Sequence, residues 1–459
     1  MASTRVAMPS TKPRYDITGL LSAIDGVPFI TDPVAVRRRS RDFFWYSPIL
    51  NEQLNGKSAD VIVAPRDEAD IVRIVAACAR MRIPITVRAG GTGNYGQAVP
   101  LEGGLLLDIN GLNAVEWHKP GIVRAQAGAK MNEIDAITRL AGWELRMHPS
   151  TKRTATIGGF VAGGSGGIGS VTYGGLREPG NILAARIVTA EDEPRVVELR
   201  GDAAQKVNRA YGTTGIITAL EMPLAPAWPW TDLIVTFDDF FEAMRFGYEV
   251  ALADGVVKKL LTPMIWPIPV NFPPLRPHSP DGKSVLFAMI AEPSLETFKA
   301  LLGRRGTISY EVAHDESPNV VPLYEYTWNH TTLQWLKQDR TITYLQCLFP
   351  ADRVIESVRE MWALFPDEVL PHTEFIRFGG RVTCSALPIV RYRGAERLNE
   401  IIALHEQHGV MIANPHVYTL EDGSRHKRAD ADQAGYKAEV DPFGLLNPGK
   451  MRSYVPARA

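Results

Sequence analysis

Thr156-Ile157-Gly158-Gly159-Phe160-Val161-Ala162-Gly163-Gly164-Ser165-Gly166-Gly167-Ile168-Gly169-Ser170-Val171-Thr172-Tyr173-Gly174-Gly175 places nine glycines in 20 residues, against 39 in the 459 residues of the chain. The chain average predicts roughly two in such a window. Ordering so much glycine carries a large backbone-entropy cost. A flexible linker does not account for the segment, because Ile157, Phe160, Val161 and Ile168 need burial. Backbone laid against a bulky, flat or anionic ligand does. Without side chains, consecutive N–H groups can converge on phosphate oxygens.

A second glycine loop lies upstream: Arg88-Ala89-Gly90-Gly91-Thr92-Gly93-Asn94-Tyr95-Gly96-Gln97, directly after a strand pattern at 83–87. Its G-x-G-x-x-G at 91–96 is a weak signal alone. The nicotinamide-type dinucleotide fold needs a helix opening from the third glycine and an acid about 20 residues on. Here 98–104 is not helical in character, and Glu116 has no helical context behind it. No lysine follows either loop in a G-K-[ST] arrangement, which disfavours a P-loop nucleotidase. Two such loops in one region imply a single extended diphosphate ligand held by loop backbone.

Around the loops the pattern alternates. A buried strand is predicted at 61–65, then Asp67 as N-cap of a helix with Ile71, Ile74, Val75, Cys78 and Met81 on one face. Further strands are expected at 105–107, 122–127, 184–189 and 216–221, with a helix through Ile134, Ile137 and Leu140 ending near Gly142. The first 40 residues read as a leader whose Arg37-Arg38-Arg39 run is a solvated helix face. The proline-rich 223–230 reads as a linker, and 263–280 as a long loop. Residues 231–429 alternate strands and helices and carry Tyr324, Tyr326, Trp328, Trp335 and Tyr344. A last helix around 430–439 stops at Asp441-Pro442.

Composition narrows the class. Hydrophobic residues make up 45% and charged residues 22%, with a formal net charge of −1. That balance gives no global field for nucleic acid or an anionic membrane. No apolar run is long enough to span a bilayer, and the first residues lack a signal-peptide core. Three cysteines without a CxxC pair argue against a thiolate zinc site and suit a reducing, cytoplasmic setting.

Five ordered stretches then carry a resemblance: 61–65, 88–97, 156–175, Tyr211-Gly212-Thr213-Thr214-Gly215-Ile216-Ile217-Thr218, and Asp441-Pro442-Phe443-Gly444-Leu445-Leu446-Asn447-Pro448-Gly449-Lys450. With them the chain resembles FAD-linked oxidoreductases of the vanillyl-alcohol oxidase / p-cresol methylhydroxylase superfamily, in the glycolate oxidase and D-lactate dehydrogenase-like branch. The resemblance implies an α+β fold. A two-subdomain FAD-binding domain of the p-cresol methylhydroxylase type (1–225) would carry an α/β substrate cap (226–429). A C-terminal segment (430–459) would return to the FAD domain. Residues 226–429 match weakly.

By the same resemblance, the cofactor-binding residues would include Arg88, Gly90, Gly91, Thr92, Gly93, Asn94 and Gln97, with the backbone of Gly90–Asn94 holding the pyrophosphate. Ser150, Thr156, Gly158, Gly159, Gly163, Gly166 and Gly167 would line the ribityl chain and ring, and Gly215 and Ile217 the adenine side. Asn447 and Lys450 would approach the isoalloxazine, where a cation stabilises reduced flavin. Many relatives link FAD through a histidine in the first loop, where this chain has Thr92. Others use a cysteine in the second segment, and none lies between 79 and 346. FAD is therefore expected to bind non-covalently.

The substrate side is expected in the cap, with His416, Arg381 and Tyr326 as candidate catalytic residues. His416 and His426 loosely match two histidines that bind a divalent metal in the hydroxy-acid branch. Their spacing is longer here, and no metal is assigned. Glu374, Arg377, Arg381, Arg391 and Arg393 form a charged set suited to a substrate carboxylate. Tyr324, Tyr326, His330, Trp328 and Trp335 would suit a phenol. The function implied is oxidation of a small hydroxy acid or related alcohol by hydride transfer to flavin. The alternatives are oxidation of a para-substituted phenol and a flavin-binding protein without turnover. Expected partners are a small-molecule substrate, an electron acceptor the sequence does not identify, and a second copy as one permitted assembly.

Overall fold

A computed structural model of the protein describes residues 14–164, 166–421 and 431–456. The first sheet is built on Val61–Val63 and Ile85–Arg88, both parallel to Leu105–Asp108 between them. The helix Glu68–Met81 makes the crossover. Asp67 caps it by accepting the Asp70 N–H, and Ile71, Ile74, Val75 and Cys78 bury its apolar face. Phe29–Ile30 adds an antiparallel edge strand. The first 40 residues are thus no detached leader from residue 14 onward. Leu20, Ile24 and Val27 are buried in the same core, and Arg39 pairs with Asp108.

The second sheet is antiparallel, in the order Val115–Lys119, Ile122–Gln126, Ile216–Pro226, Ala184–Val188, Val196–Arg200, with Trp143–Leu145 also on Ile216–Pro226. The predicted linker at 223–230 is mostly strand. Pro223 faces Ile122, Pro226 faces Trp143, and Trp230 already opens the next strand. Proline is tolerated where the ladder does not need its missing N–H. The helix Met131–Thr138 forms and runs on through a tight turn to Gly142. It buries Ile134 but leaves Ile137 and Leu140 exposed.

The remaining chain packs Lys258–Met264, Ser284–Ala291, Trp230–Phe237 and Thr307–Ala313 as an antiparallel sheet under the helices Phe240–Leu252 and Leu295–Leu302. Two smaller antiparallel sheets complete it. The stretch expected as a loop at 263–280 is the end of a strand followed by two tight helical turns, Ile268–Asn271 and Pro273–His278. After the helix Ala431–Val440 the tail joins the free edge of the first sheet. Ile85 donates to the Leu445 carbonyl and Asn447 donates to Ile85, each at 2.8 Å.

Charged groups cross between the two halves. Lys152 sits between Asp135 (2.7 Å) and Glu316 (2.6 Å), and Lys259 reaches Glu144 at 2.6 Å. No helix among the described residues is long and apolar enough to cross a membrane.

Candidate functional site

The glycine-dense segment folds as a short helix, Ile157–Gly163. Thr156 caps it by accepting the Gly159 N–H, and Ile157, Phe160 and Val161 fill its buried side. The glycines of the two loops answer to two different demands. A Cβ at Gly158 would lie 2.6 Å from the Ala127 Cβ, and one at Gly90 would lie 2.4 Å from the Thr154 carbonyl oxygen. These two let backbones approach. A Cβ at Gly163 would meet nothing within 4 Å. That position faces open space.

The open space is a cavity. A wide part of about 940 Å³ and a narrow part of about 120 Å³ share Thr92, Gly93, Gln97, Gly159 and Gly163 as walls, and so form one elongated recess. Arg88, Gly90, Gly91, Thr156, Gly158, Gly215 and Ile217 line the narrow part. Asn94, Ser150 and Gly166 line the wide part. The wide part alone lies within the range of cofactor and ligand sites, roughly 300–1,000 Å³, and the narrow part carries the recess slightly beyond it. Arg88 donates to the Arg41 carbonyl at 2.6 Å, while its buried Nε has no partner. Burial and the neighbouring Arg39 push its pKa down to about 10. A glycine-walled recess with a buried guanidinium beside it fits a diphosphate-bearing group.

Three residues expected at the cofactor lie outside the cavity wall. Gly167 packs against the His148 carbonyl. Asn447 donates to the Gln97 carbonyl (2.8 Å) and the Tyr211 carbonyl (2.7 Å), and Lys450 donates to the Gly96 carbonyl at 2.6 Å. The tail therefore grips the first glycine loop from behind. From the other side Phe43 donates to the Gly93 carbonyl, and Asp42 accepts from Ala98. Burial raises the Asp42 carboxyl and lowers the Lys450 ammonium, and each group's charge opposes the other's shift.

The three residues expected to carry the chemistry are dispersed. His416 is buried with Nδ1 against Ser47 Oγ (2.7 Å) and Nε2 against the Tyr344 carbonyl (2.8 Å), which leaves its ring no free nitrogen. Arg381 is exposed beside a Gly379-Gly380 turn. Tyr326 is buried in the core, its ring 5.5 Å from Phe272. None of the three lines the cavity. His426 lies outside the described residues. No cluster of three or more His, Cys, Asp or Glu suited to a metal exists among those described.

The wide end is instead walled by Phe43, Tyr46, Arg177, Arg209, Trp328, His330 and Arg377, with Gln346, Leu387 and Ile412. Burial raises the thiol of Cys347, another wall residue, well above its ordinary value. Asp42, Phe43 and Tyr46 went unassigned in the sequence. Their one signal was the aromatic run Phe43-Phe44-Trp45-Tyr46 behind an acid. In the sequence His330 and Trp328 stand out only as part of an aromatic set. Of that set, Tyr324 and Trp335 are buried and away from the cavity.

Comparison with known proteins agrees with this geometry. Residues 59–197 match the FAD binding domain family. The chain is 28% identical over 202 residues to D-lactate dehydrogenase of Archaeoglobus fulgidus, covering 42% of this chain and 44% of that protein. It is 29% identical over 178 residues to glycolate oxidase subunit GlcD of Bacillus subtilis, covering 36% of this chain and 37% of that protein. These matches span less than half the length of each relative. A solved structure of alkyldihydroxyacetonephosphate synthase superposes with a TM-score of 0.73 at 14% identity, covering 96% of this chain and 86% of that one. The last likeness shows a shared fold. The chain thus carries an FAD-binding domain, and FAD is its cofactor.

Proposed function

We propose that this protein is an FAD-dependent oxidoreductase that oxidises a small 2-hydroxy acid at its CH–OH carbon. The carrying observation is the single recess that is glycine-walled at its narrow end and bears Arg177, Arg209 and Arg377 at its wide end. The D-lactate dehydrogenase and glycolate oxidase relatives support the same class. FAD, when bound, supplies the two-electron acceptor. The residues of the narrow end, among them Arg88, Gly90, Gly91, Thr156, Gly158 and Gly215 with Ile217, would hold the diphosphate and adenosine by backbone and by the Arg88 charge. The arginines at the wide end orient a carboxylate, for which a guanidinium fork is well matched. Phe43, Tyr46 and Trp328 wall that end with apolar surface and keep water from the reacting carbon. The units are assigned as 1–225, 226–429 and 430–459, with the last acting as a brace on the first.

A phenol substrate is less well served. Tyr324, Tyr326 and Trp335 pack into the core instead of the recess. The deciding experiment adds a panel of D-2-hydroxy acids, and separately 4-alkylphenols, to the FAD-loaded protein without oxygen. Bleaching of the flavin by a hydroxy acid is expected. Bleaching only by phenols, or by neither panel, overturns the reading. FAD is held non-covalently in this proposal, so acid precipitation should release the yellow colour to the supernatant.

A further inference from the structure

Resting on that reading, we infer that His330 takes the proton from the substrate hydroxyl. It lines the wide end of the recess in the first turn of the helix Asn329–Leu336. Its Nδ1 lies 3.1 Å from the Glu325 carbonyl oxygen. A carbonyl only accepts, so Nδ1 carries the ring proton and Nε2 keeps its lone pair. Nε2 has no partner among the described residues and is not sealed off by protein. Burial pushes the imidazole pKa down to about 4, so the ring is neutral at ordinary pH. The result is a neutral acceptor with a fixed tautomer at the wall of a substrate-sized space.

The ring's place is set from below. Trp328, immediately before the helix, stands at φ 52°, a region that side-chain-bearing residues rarely adopt. Its N–H donates to the buried Glu374 carboxylate at 2.7 Å. The same carboxylate accepts from the Thr262 hydroxyl and meets His372 Nε2 at 2.9 Å. A three-membered buried network thus holds the turn that presents His330.

The step balances without another reagent. The substrate O–H bond breaks and its proton goes to Nε2. The C–H bond breaks and its hydrogen departs with the electron pair, which FAD, when bound, would accept, and the alcohol becomes a carbonyl. The imidazolium later returns its proton to water.

The test uses the FAD-loaded full chain. In a 15N-histidine NMR spectrum, the signal lost in His330→Gln should belong to a neutral ring with protonated Nδ1 and bare Nε2. A ring protonated at Nε2 instead overturns the assignment, even if the glutamine variant fails to keep FAD. In anaerobic mixing with a D-2-hydroxy acid, His330→Gln should slow flavin bleaching roughly 100-fold or more. His330→Ala should regain at least part of the rate with added imidazole. Equal rates in wild type and His330→Gln sink the assignment alone. A wild type bleached by no hydroxy acid sinks the functional reading and this assignment with it.

Discussion

At the narrow end of the recess, Gly90, Gly91, Gly158, Gly163 and Gly215 belong to runs that stand out in the sequence as runs. At the wide end, Phe43, Arg209, His330, Arg377 and Ile412 come from five separate places in the chain. The narrow end recognises with backbone. Backbone recognition needs glycine at consecutive positions, because a single Cβ would close the approach. The wide end recognises with side chains, and each wall residue is contributed by a different element. A backbone site therefore marks its own sequence, while a side-chain site does not.

The seam between the halves carries the largest expected effect. Lys152 is buried between Asp135 and Glu316, one on each side. Lys152→Met would strand two carboxylates and should cost about 3–5 kcal/mol, seen as a lowered Tm. Burial pushes Glu316 up, but the His314 hydrogen bond and the Lys152 charge outweigh it and hold the carboxyl well below the usual range. The sign follows from that lowered value. Glu316 contributes stability above its unfolded pKa of about 4.3, and that contribution fades as pH falls through the folded value. His314 is shifted up, because Asp232 and Glu316 outweigh its burial. Its contribution is present below an unfolded pKa of about 6.5 and fades as pH rises past the folded value. Wild-type Tm should therefore sag at both ends of the pH range. A variant with an equally bent profile would show that the seam is not where the halves are joined.

A smaller effect tests whether the tail belongs to the backbone site. Lys450→Met removes the donor on the Gly96 carbonyl and takes from Asp42 the stronger of the two cations acting on it, Lys450 and Arg88. A loss of about 2 kcal/mol, or roughly thirtyfold in FAD affinity, is expected. Adding Asp42→Asn should recover part of it, since the stranded charge is then gone. Unchanged flavin retention on dialysis would detach the tail from the site.

Gly163→Ala separates the two demands on glycine within one segment. With nothing within 4 Å of the new methyl, the apoprotein should keep its Tm. Helix propensity even favours alanine by up to about 1 kcal/mol. FAD affinity should fall by about tenfold, or ~1.4 kcal/mol, because the methyl stands in the recess. Gly158→Ala, against Ala127, should instead lower the Tm itself. If both variants behave alike, the segment's glycines are there for packing only.

Legibility in the sequence followed the same division. The strands around Val61–Val63 and Leu105–Asp108, the Asp67 cap and the glycine loops could be read because local chemistry dictates them. The far end of the strand Ile216–Pro226 is not legible, because its prolines look like a linker until the partner strands are known. Motif order shows that Asn447 and Lys450 lie near the glycine loop but not the side from which they reach it. His416 and His330 are both cap histidines beside aromatic residues. His330 stands at the recess wall with one nitrogen bonded, while His416 lies off it with both bonded, and that is tertiary information.

The smallest expected effect concerns a residue the sequence singled out. Arg381 opens the strand Arg381–Ala386, exposed beside the Gly379-Gly380 turn, while Arg377 in the paired strand lines the recess and meets Asp254 at 3.0 Å. The two arginines face each other's neighbours in one hairpin, since Arg377 is opposite Val382 and Arg381 opposite Phe378. Four residues of separation thus decide which of the two arginines lines the recess. Arg381→Ala should leave the unfolding free energy within the roughly ±0.5 kcal/mol typical of surface changes, and anaerobic bleaching within about twofold. Arg377→Ala should weaken the apparent affinity for a 2-hydroxy acid without changing flavin content. A loss of affinity in the Arg381 variant equal to that of Arg377 would mean that the hairpin bends inward when substrate is present, and that the wide end is larger than its walls here define.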